Sequence, residues 1–305
     1  LSSRGKIVLF RKMVAGIAVL SVLVPPLFNF DISSPDWPGK LDYQQDELYP
    51  IKLQINSIPL VEVKVNGTPL WVKFDTGNST GFSLTSAVEE RIEHTVTGKS
   101  TARNPDGSYR GETTLATIAS LEVFGDSYAP VATSISDWRM FSTLKFNGLL
   151  GLKYFDGKRV TLDYKKRKIG ITDRPLAYAA VEELCGVAVP LLEASGSQAD
   201  LIYVVGQIKG QPTVIYLDTG SSASFIDPCV LDPSEIKEEK RFLIAEDVEM
   251  SIGNFSFTVK QLRVKEQRRG VSFEYPQTVK LGSDVIKDFL FTIDRISGQL
   301  FLAKN

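Results

Sequence analysis

The sequence contains one histidine, His94, and two cysteines, Cys185 and Cys229. That scarcity excludes much catalytic chemistry. A Ser-His-Asp or Cys-His mechanism would have to run through His94, which lies in the polar stretch 91–97 with no nucleophile motif beside it and reads as a surface histidine. Zinc centres usually draw on several His and Cys ligands, so no metal site is expected, although carboxylates alone can hold a hard cation. The cysteines stand 44 residues apart. They read equally well as one disulfide in an oxidising compartment or as two buried thiols. Excess charge is also lacking: 35 Lys and Arg face 36 Asp and Glu, a net of -1. No field of one sign invites nucleic acid. The basic run Tyr164–Lys168 is short and reads as a solvated hairpin. At 305 residues and 43% hydrophobic, the chain can build one large or two moderate domains with a real core.

Long apolar runs are few. Residues 13–24 are apolar except for Ser21, follow Arg11-Lys12 and end at Pro25-Pro26. A basic flank before a short apolar stretch resembles an export signal. No small-x-small cleavage site stands near Pro25, so residues 1–28 are expected to form a hydrophobic helix serving as signal or membrane anchor. That would place the body outside the cytoplasm, periplasmic or extracellular and possibly membrane-anchored. Residues 29–47, rich in Ser, Pro, Asp and Gly, read as a linker.

From Leu48 the pattern is all-β. Ile51–Ile55 and Val61–Val65 alternate apolar and polar, and the second runs into Asn66-Gly67, a strong two-residue hairpin signal. Further strands are expected at 113–119, 121–124, 129–134, 159–164, 168–171, 201–208, 213–217, 242–244, 248–252, 256–264, 289–293 and 299–302. Short helices are expected at 83–90, 178–183 and 283–288.

An internal repeat organises these strands. Asn66-Gly-Thr-Pro-Leu-Trp-Val-Lys-Phe-Asp75-Thr76-Gly77-Asn78 is matched by Lys209-Gly-Gln-Pro-Thr-Val-Ile-Tyr-Leu-Asp218-Thr219-Gly220-Ser221. Further on, Gly151 to Gly282, Asp163 to Asp294 and Ile169 to Leu300 are each 131 residues apart. A duplicated unit with one acid per strand end implies a two-fold relation that brings Asp75 and Asp218 together. Two adjacent carboxylates resist double ionisation and share a proton, which suits them to activate a water and protonate a carbonyl in turn. The aspartic-protease dyad is the standard example of such a pair. Gly77 and Gly220 permit a tight turn, Thr76 and Thr219 can hydrogen-bond across the axis, and Asn78 and Ser221 can donate to the carboxylates.

These motifs resemble the pepsin/retropepsin superfamily of aspartic endopeptidases, and look most similar to its compact bacterial members, as a fused tandem of two retropepsin-like lobes. The matched motifs are Val72–Asn78, Ile215–Ser221 and the later Leu149-Leu150-Gly151. The resemblance runs from about Leu48 to Ala303. It implies an all-β, bilobal acid-protease fold with pseudo-two-fold symmetry, having lobes at 48–175 and 201–305 joined by 176–200. It implies Asp75 and Asp218 as catalytic residues, and a flap hairpin near 104–111 in which Tyr109 contacts substrate, with a weaker counterpart near 235–241. No cofactor is implied. The partner would be an extended polypeptide substrate, and the catalytic unit a monomer. Asn78, in place of a small residue, and Lys280, before Leu281-Gly282, depart from the pattern. A catalytically silent binding or structural subunit of a membrane-associated assembly is therefore the alternative. A sugar hydrolase also uses paired carboxylates, but does not need them in matched Asp-Thr-Gly turns.

Overall fold

A computed structural model describes residues 36–103, 109–137, 145–267 and 272–305. Strand accounts for 51% of them. In chain order the elements begin with α1 (Trp37–Lys40), β1 (Leu48–Pro50), β2 (Lys52–Leu53), β3 (Pro59–Val65), β4 (Thr68–Phe74), β5 (Phe82–Thr85), β6 (Thr95–Arg103) and β7 (Tyr109–Ile118). There follow β8 (Leu121–Val123), β9 (Asp126–Tyr128), β10 (Val131–Ser136), β11 (Gly148–Leu150), β12 (Arg159–Asp163), β13 (Lys168–Thr172), α2 (Tyr178–Glu183) and β14 (Val187–Pro190). The last part holds β15 (Ile202–Ile208), β16 (Gln211–Asp218), β17 (Phe225–Ile226), β18 (Lys237–Glu239), β19 (Phe242–Ile252), β20 (Phe255–Val264), β21 (Gln277–Gly282), α3 (Ser283–Ile286), β22 (Phe289–Asp294) and β23 (Gln299–Lys304).

Three sheets result. The first-half sheet runs β6-β7-β10-β5-β11-β4-β3-β8-β9, with β2 also on β3. The second-half sheet runs β15-β16-β21-β17-β20-β19-β18, and β15 pairs β19 as well, closing a six-stranded barrel. Both sheets contain the same succession of pairings. The hairpin β3–β4 is antiparallel and β4–β11 parallel, then β11–β5 antiparallel and β5–β10 parallel. Likewise β15–β16 is antiparallel and β16–β21 parallel, then β21–β17 antiparallel and β17–β20 parallel. Each hairpin turns through two residues with positive φ, Asn66-Gly67 (49° and 79°) and Lys209-Gly210 (50° and 78°). That is the left-handed pair a right-twisted two-residue hairpin demands.

The third sheet, β1-β13-β12-β22-β23-β14, takes strands from both halves. At its centre β12 meets β22 antiparallel, with Thr161 opposite Thr292 and their hydroxyls 2.8 Å apart. These two residues are 131 apart, the spacing of the sequence repeat. All five residues of β12 and all six of β22 are buried, so both faces of this central pair are covered.

Several sequence expectations change. Ser83–Glu90 is not a helix: β5 occupies Phe82–Thr85 and a 3-10 turn follows at Ser86–Arg91. All four β5 residues are buried between β10 and β11, and that pairing outweighs local helix preference. The two strands expected at 242–244 and 248–252 are one, β19. Its polar middle faces solvent, where Asp247 pairs with Lys260 at 2.7 Å. The polar strand β6 escaped the apolar pattern because it lies at a sheet edge, paired only with β7. The described part of the expected linker, 36–47, is packed rather than loose. Trp37, Leu41 and Tyr43 are buried with Ala180, Val181, Leu184, Leu290 and Phe301, and Arg174 ties the segment down through Asp42 and Glu47. Neither cysteine is buried or bridged: both are exposed thiols outside any disulfide. His94, expected at the surface, is partly buried there: its side chain is 16% exposed and its Nδ1 lies 2.8 Å from the Ile92 carbonyl.

The expectation of a signal-anchor in the membrane is corrected. Among the described residues no helix is long and apolar enough to cross a membrane; the longest α-helix, α2, has six residues. Residues 1–28, to which that expectation was attached, lie outside the described residues.

Candidate active site

Asp75 leaves the end of β4, and Asp218 is the last residue of β16. Each strand is steadied by a parallel neighbour. The Asp75 N–H donates to the Leu150 carbonyl at 2.9 Å, and Asp218 lies opposite Gly282 of β21. Both aspartates then open the same turn, in which the N–H three residues on returns to the aspartate carbonyl: Asn78 to Asp75 and Ser221 to Asp218, each 3.0 Å. The Gly77 and Gly220 N–H groups donate to Oδ1 of Asp75 and Asp218, each at 3.0 Å. One oxygen of each carboxylate is thus fixed by its own turn.

The two turns are locked to each other by their threonines. Thr76 Oγ1 donates to the Leu217 carbonyl at 2.8 Å and accepts from the Thr219 N–H at 3.0 Å. Thr219 Oγ1 donates to the Phe74 carbonyl at 2.8 Å and accepts from the Thr76 N–H at 3.1 Å. Both threonines are buried, so the four bonds face no competition from water. The glycines allow the turns to meet. A β-carbon on Gly77 would lie 2.6 Å from Asp218 Oδ1, and one on Gly220 would overlap the Asp75 carboxyl. Each carboxylate therefore rests on the opposite turn.

Beneath the turns pass Gly151 and Gly282. A β-carbon on Gly151 would collide with the Asn78 carbonyl, and one on Gly282 would come within 2.7 Å of the Ser221 carbonyl. Ser283 completes the second support, donating from its N–H to Ser221 at 2.8 Å and from Oγ to the Thr219 carbonyl at 2.6 Å.

The remaining oxygen of each carboxylate meets a lysine. Lys73 Nζ lies 2.9 Å from Asp75 Oδ2, with side chains 9% and 8% exposed. Lys280 Nζ lies 3.2 Å from Asp218 Oδ2, with side chains 20% and 13% exposed. Lys73 also donates to the Gly220 carbonyl of the opposite turn at 3.1 Å. Burial pushes the Asp218 carboxyl above the ordinary range, and the Asp75 charge adds to this, while Lys280 and Lys73 pull it down. Tyr216, packed between the turns, is held well above the usual phenol range by burial and by both aspartates. Burial raises Tyr203 to about 12 and also raises Tyr164, whose hydroxyl is 3.2 Å from Ser283 Oγ. All three stay neutral across the physiological range.

Of the residues picked from sequence, Asp75, Thr76, Gly77, Asp218, Thr219 and Gly220 come together. Asn78 and Ser221 border the site but do not donate to the carboxylates. Asn78 binds its own loop, through Gly81 and Thr80, and Ser221 Oγ donates to the Ala223 carbonyl at 2.8 Å. The lysines hold the oxygens those side chains were expected to reach. Tyr109 is 63% exposed at the start of β7, and residues 104–108 of the expected flap lie outside the described residues. Lys73 and Tyr216 were missed. A groove of about 570 Å³ follows β20 and α3, lined by Phe255, Phe257, Phe289, Lys260, Asp284 and Asp288 among others; neither Asp-Thr-Gly turn contributes to it. Among the described residues no group of His, Cys, Asp and Glu is placed to hold a metal ion. No family model matches the sequence, and no curated protein matches it.

Proposed function

We propose that the protein is an aspartic endopeptidase of the pepsin/retropepsin type, hydrolysing peptide bonds with Asp75 and Asp218 as its dyad. The observation that carries this reading is the reciprocal Thr76–Thr219 lattice, which joins two Asp-Thr-Gly turns so that each carboxylate rests on the other's glycine. In the competent form one of the two carboxylates holds a proton and the other is ionised. The ionised member takes a proton from a water, and the protonated member donates to the substrate carbonyl as the water attacks. The resulting diol collapses when a proton passes to the leaving nitrogen.

The bilobal, pseudo-two-fold architecture belongs to the same proposal. It is supported by the matched succession of pairings in the two larger sheets. It is also supported by the register of β12 on β22, in which Thr161 faces the residue that the repeat makes its own equivalent, Thr292. A two-fold axis through that pair would relate the two Asp-Thr-Gly turns as well. The substrate would be an extended polypeptide, since extended chains present their backbones to strand edges.

The test is cleavage of a diverse peptide mixture by the full chain between pH 3 and pH 7, read by mass spectrometry, beside Asp75→Asn and Asp218→Asn. Cleavage abolished by both substitutions is the expected result. Absence of cleavage at every pH by folded protein would overturn the reading and leave the silent-subunit alternative.

A further inference from the structure

Each carboxylate of the candidate dyad is divided between two donors in the same way: Oδ1 to a glycine N–H of its own turn, Oδ2 to a lysine. An ionised carboxylate has no hydrogen of its own, and two of them this close would repel. Two ammonium groups at 2.9 and 3.2 Å cancel that charge. With both aspartates ionised and both lysines charged the cluster is neutral. A proton added to either carboxyl makes the cluster net positive and leaves one lysine facing a neutral group.

Resting on the endopeptidase reading, we propose that Lys73 and Lys280 are positioning cations that set the upper pH limit of catalysis: the dyad rests as two ion pairs at neutral pH and becomes competent on acidification, when one carboxyl takes a proton and releases its lysine.

Among the described residues, the titratable and charged groups facing the pair, from every element packed against it, are few. They are Lys73 on β4, Lys280 on β21, Tyr216 on β16, Tyr203 on β15 and Tyr164 just after β12. The tyrosines stay neutral, so the lysines are the charges that oppose proton uptake. Lys280 and Lys73 act downward on Asp218, against burial and the Asp75 charge acting upward. A cation within about 4–6 Å lowers a carboxyl pKa by about 1–3 units. Removing one lysine therefore raises the pH at which the dyad loses its shared proton, and the alkaline limb of activity follows.

Lys280 is the cleaner position to test. Its ammonium bonds Asp218 and sits 4.9 Å from the Phe225 ring centre, whereas Lys73 also crosses to the Gly220 carbonyl. The experiment is the pH profile of kcat/KM for the full-length protein, with Lys280→Met, Lys280→Arg and Asp218→Asn. The expected result is an alkaline limb about one pH unit or more higher in Lys280→Met, and at its original place in Lys280→Arg. A uniform loss of rate with the limb unmoved, from Lys280→Met protein shown to be folded, would make Lys280 merely structural and overturn the proposal. The same proteins carrying 13C-carboxyl aspartate give an activity-independent reading by NMR, the Asp218 signal being assigned by its absence in Asp218→Asn. If the unaltered protein cleaves nothing, the endopeptidase reading fails by itself. The ion-pair claim still stands or falls on whether the Asp218 midpoint rises in Lys280→Met.

Discussion

Replacing Thr219 with valine removes a hydroxyl without changing the shape of the buried side chain. Two hydrogen bonds go with it: the one Thr219 Oγ1 donates to the Phe74 carbonyl at 2.8 Å, and the one it accepts from the Thr76 N–H at 3.1 Å. Thr219 is 0% exposed and Thr76 1%, so water cannot replace either partner. A buried polar group left unsatisfied costs about 1–3 kcal/mol. Two such groups give an expected loss of about 2–6 kcal/mol, a large share of the about 5–15 kcal/mol that holds a typical domain together. Thr219→Ser keeps the hydroxyl and gives up only a buried methyl, at about 1 kcal/mol. Urea unfolding of both variants at pH 6 measures the difference, provided m is unchanged. Because the turns hold each other, Thr76→Val combined with Thr219→Val is expected to cost less than the sum of the single changes, with a coupling of about 0.5–3 kcal/mol. A Thr219→Val protein within about 0.5 kcal/mol of the original, or strict additivity in the double variant, would refute the lattice as the tie between the turns.

Gly220→Ala puts a β-carbon into the Asp75 carboxyl; it is expected to abolish peptide cleavage and lower Tm, whereas Gly98→Ala, whose β-carbon would meet only Leu115 Cδ1 at 3.8 Å, leaves cleavage unaffected. Trp37→Ala is expected to cost about 3–5 kcal/mol in urea unfolding, because that ring is 1% exposed; a loose linker at this position predicts no change. Asp218 is raised in the folded protein by burial, so the folded state holds a proton that the unfolded chain gives up. Its contribution to stability is full below the ordinary aspartate pKa of about 3.9 and is lost as pH rises through the folded value; Asp218→Asn should flatten that fall in unfolding midpoints taken from pH 4 to pH 7. Glu47 runs the other way: hydrogen bonds from Arg174, the Gln44 N–H and Thr172 outweigh the upward effect of its partial burial and hold it low. Arg174→Met should therefore destabilise the protein at pH 7, with the difference shrinking as pH falls through the depressed folded value and Glu47 loses its charge.

The β texture, the two matched hairpins and the residues of both Asp-Thr-Gly turns were legible because each rests on a local rule. Alternation marks the half-buried strands, Asn66-Gly67 marks the turn, and a repeated tripeptide marks its own duplication. What was not legible depended on distant partners. Ser83–Thr85 reads as the start of a helix until β10 and β11 lie on either side of it. Trp37 stands in a Pro- and Gly-containing stretch, and only the pocket made by α2, Leu290 and Phe301 turns it into core. Asn78 and Ser221 were assigned to the carboxylates by position in the motif, but nearer acceptors in their own loops claim them.

The lysines divide along the same line. In β4, Leu70, Val72 and Phe74 are buried together, so the period of two puts Trp71, Lys73 and Asp75 on the other face. A lysine two residues before an aspartate, inside a strand otherwise apolar at its end, is therefore a charge aimed at the same place as the carboxylate. That much can be read from Val72-Lys73-Phe74-Asp75 alone. Lys280 cannot be read in this way, because it meets Asp218 only through the parallel pairing of β16 with β21, which sets Tyr216 beside Lys280 and Asp218 beside Gly282. What looks in sequence like a polar flaw before Leu281-Gly282 occupies, across that pairing, the place Lys73 takes along its own strand. Two different strand positions deliver the same ammonium–carboxylate contact. Burying two adjacent carboxylates requires either protons or cations; this chain supplies cations to both, and the pH at which protons displace them is what the proposed peptide cleavage should report.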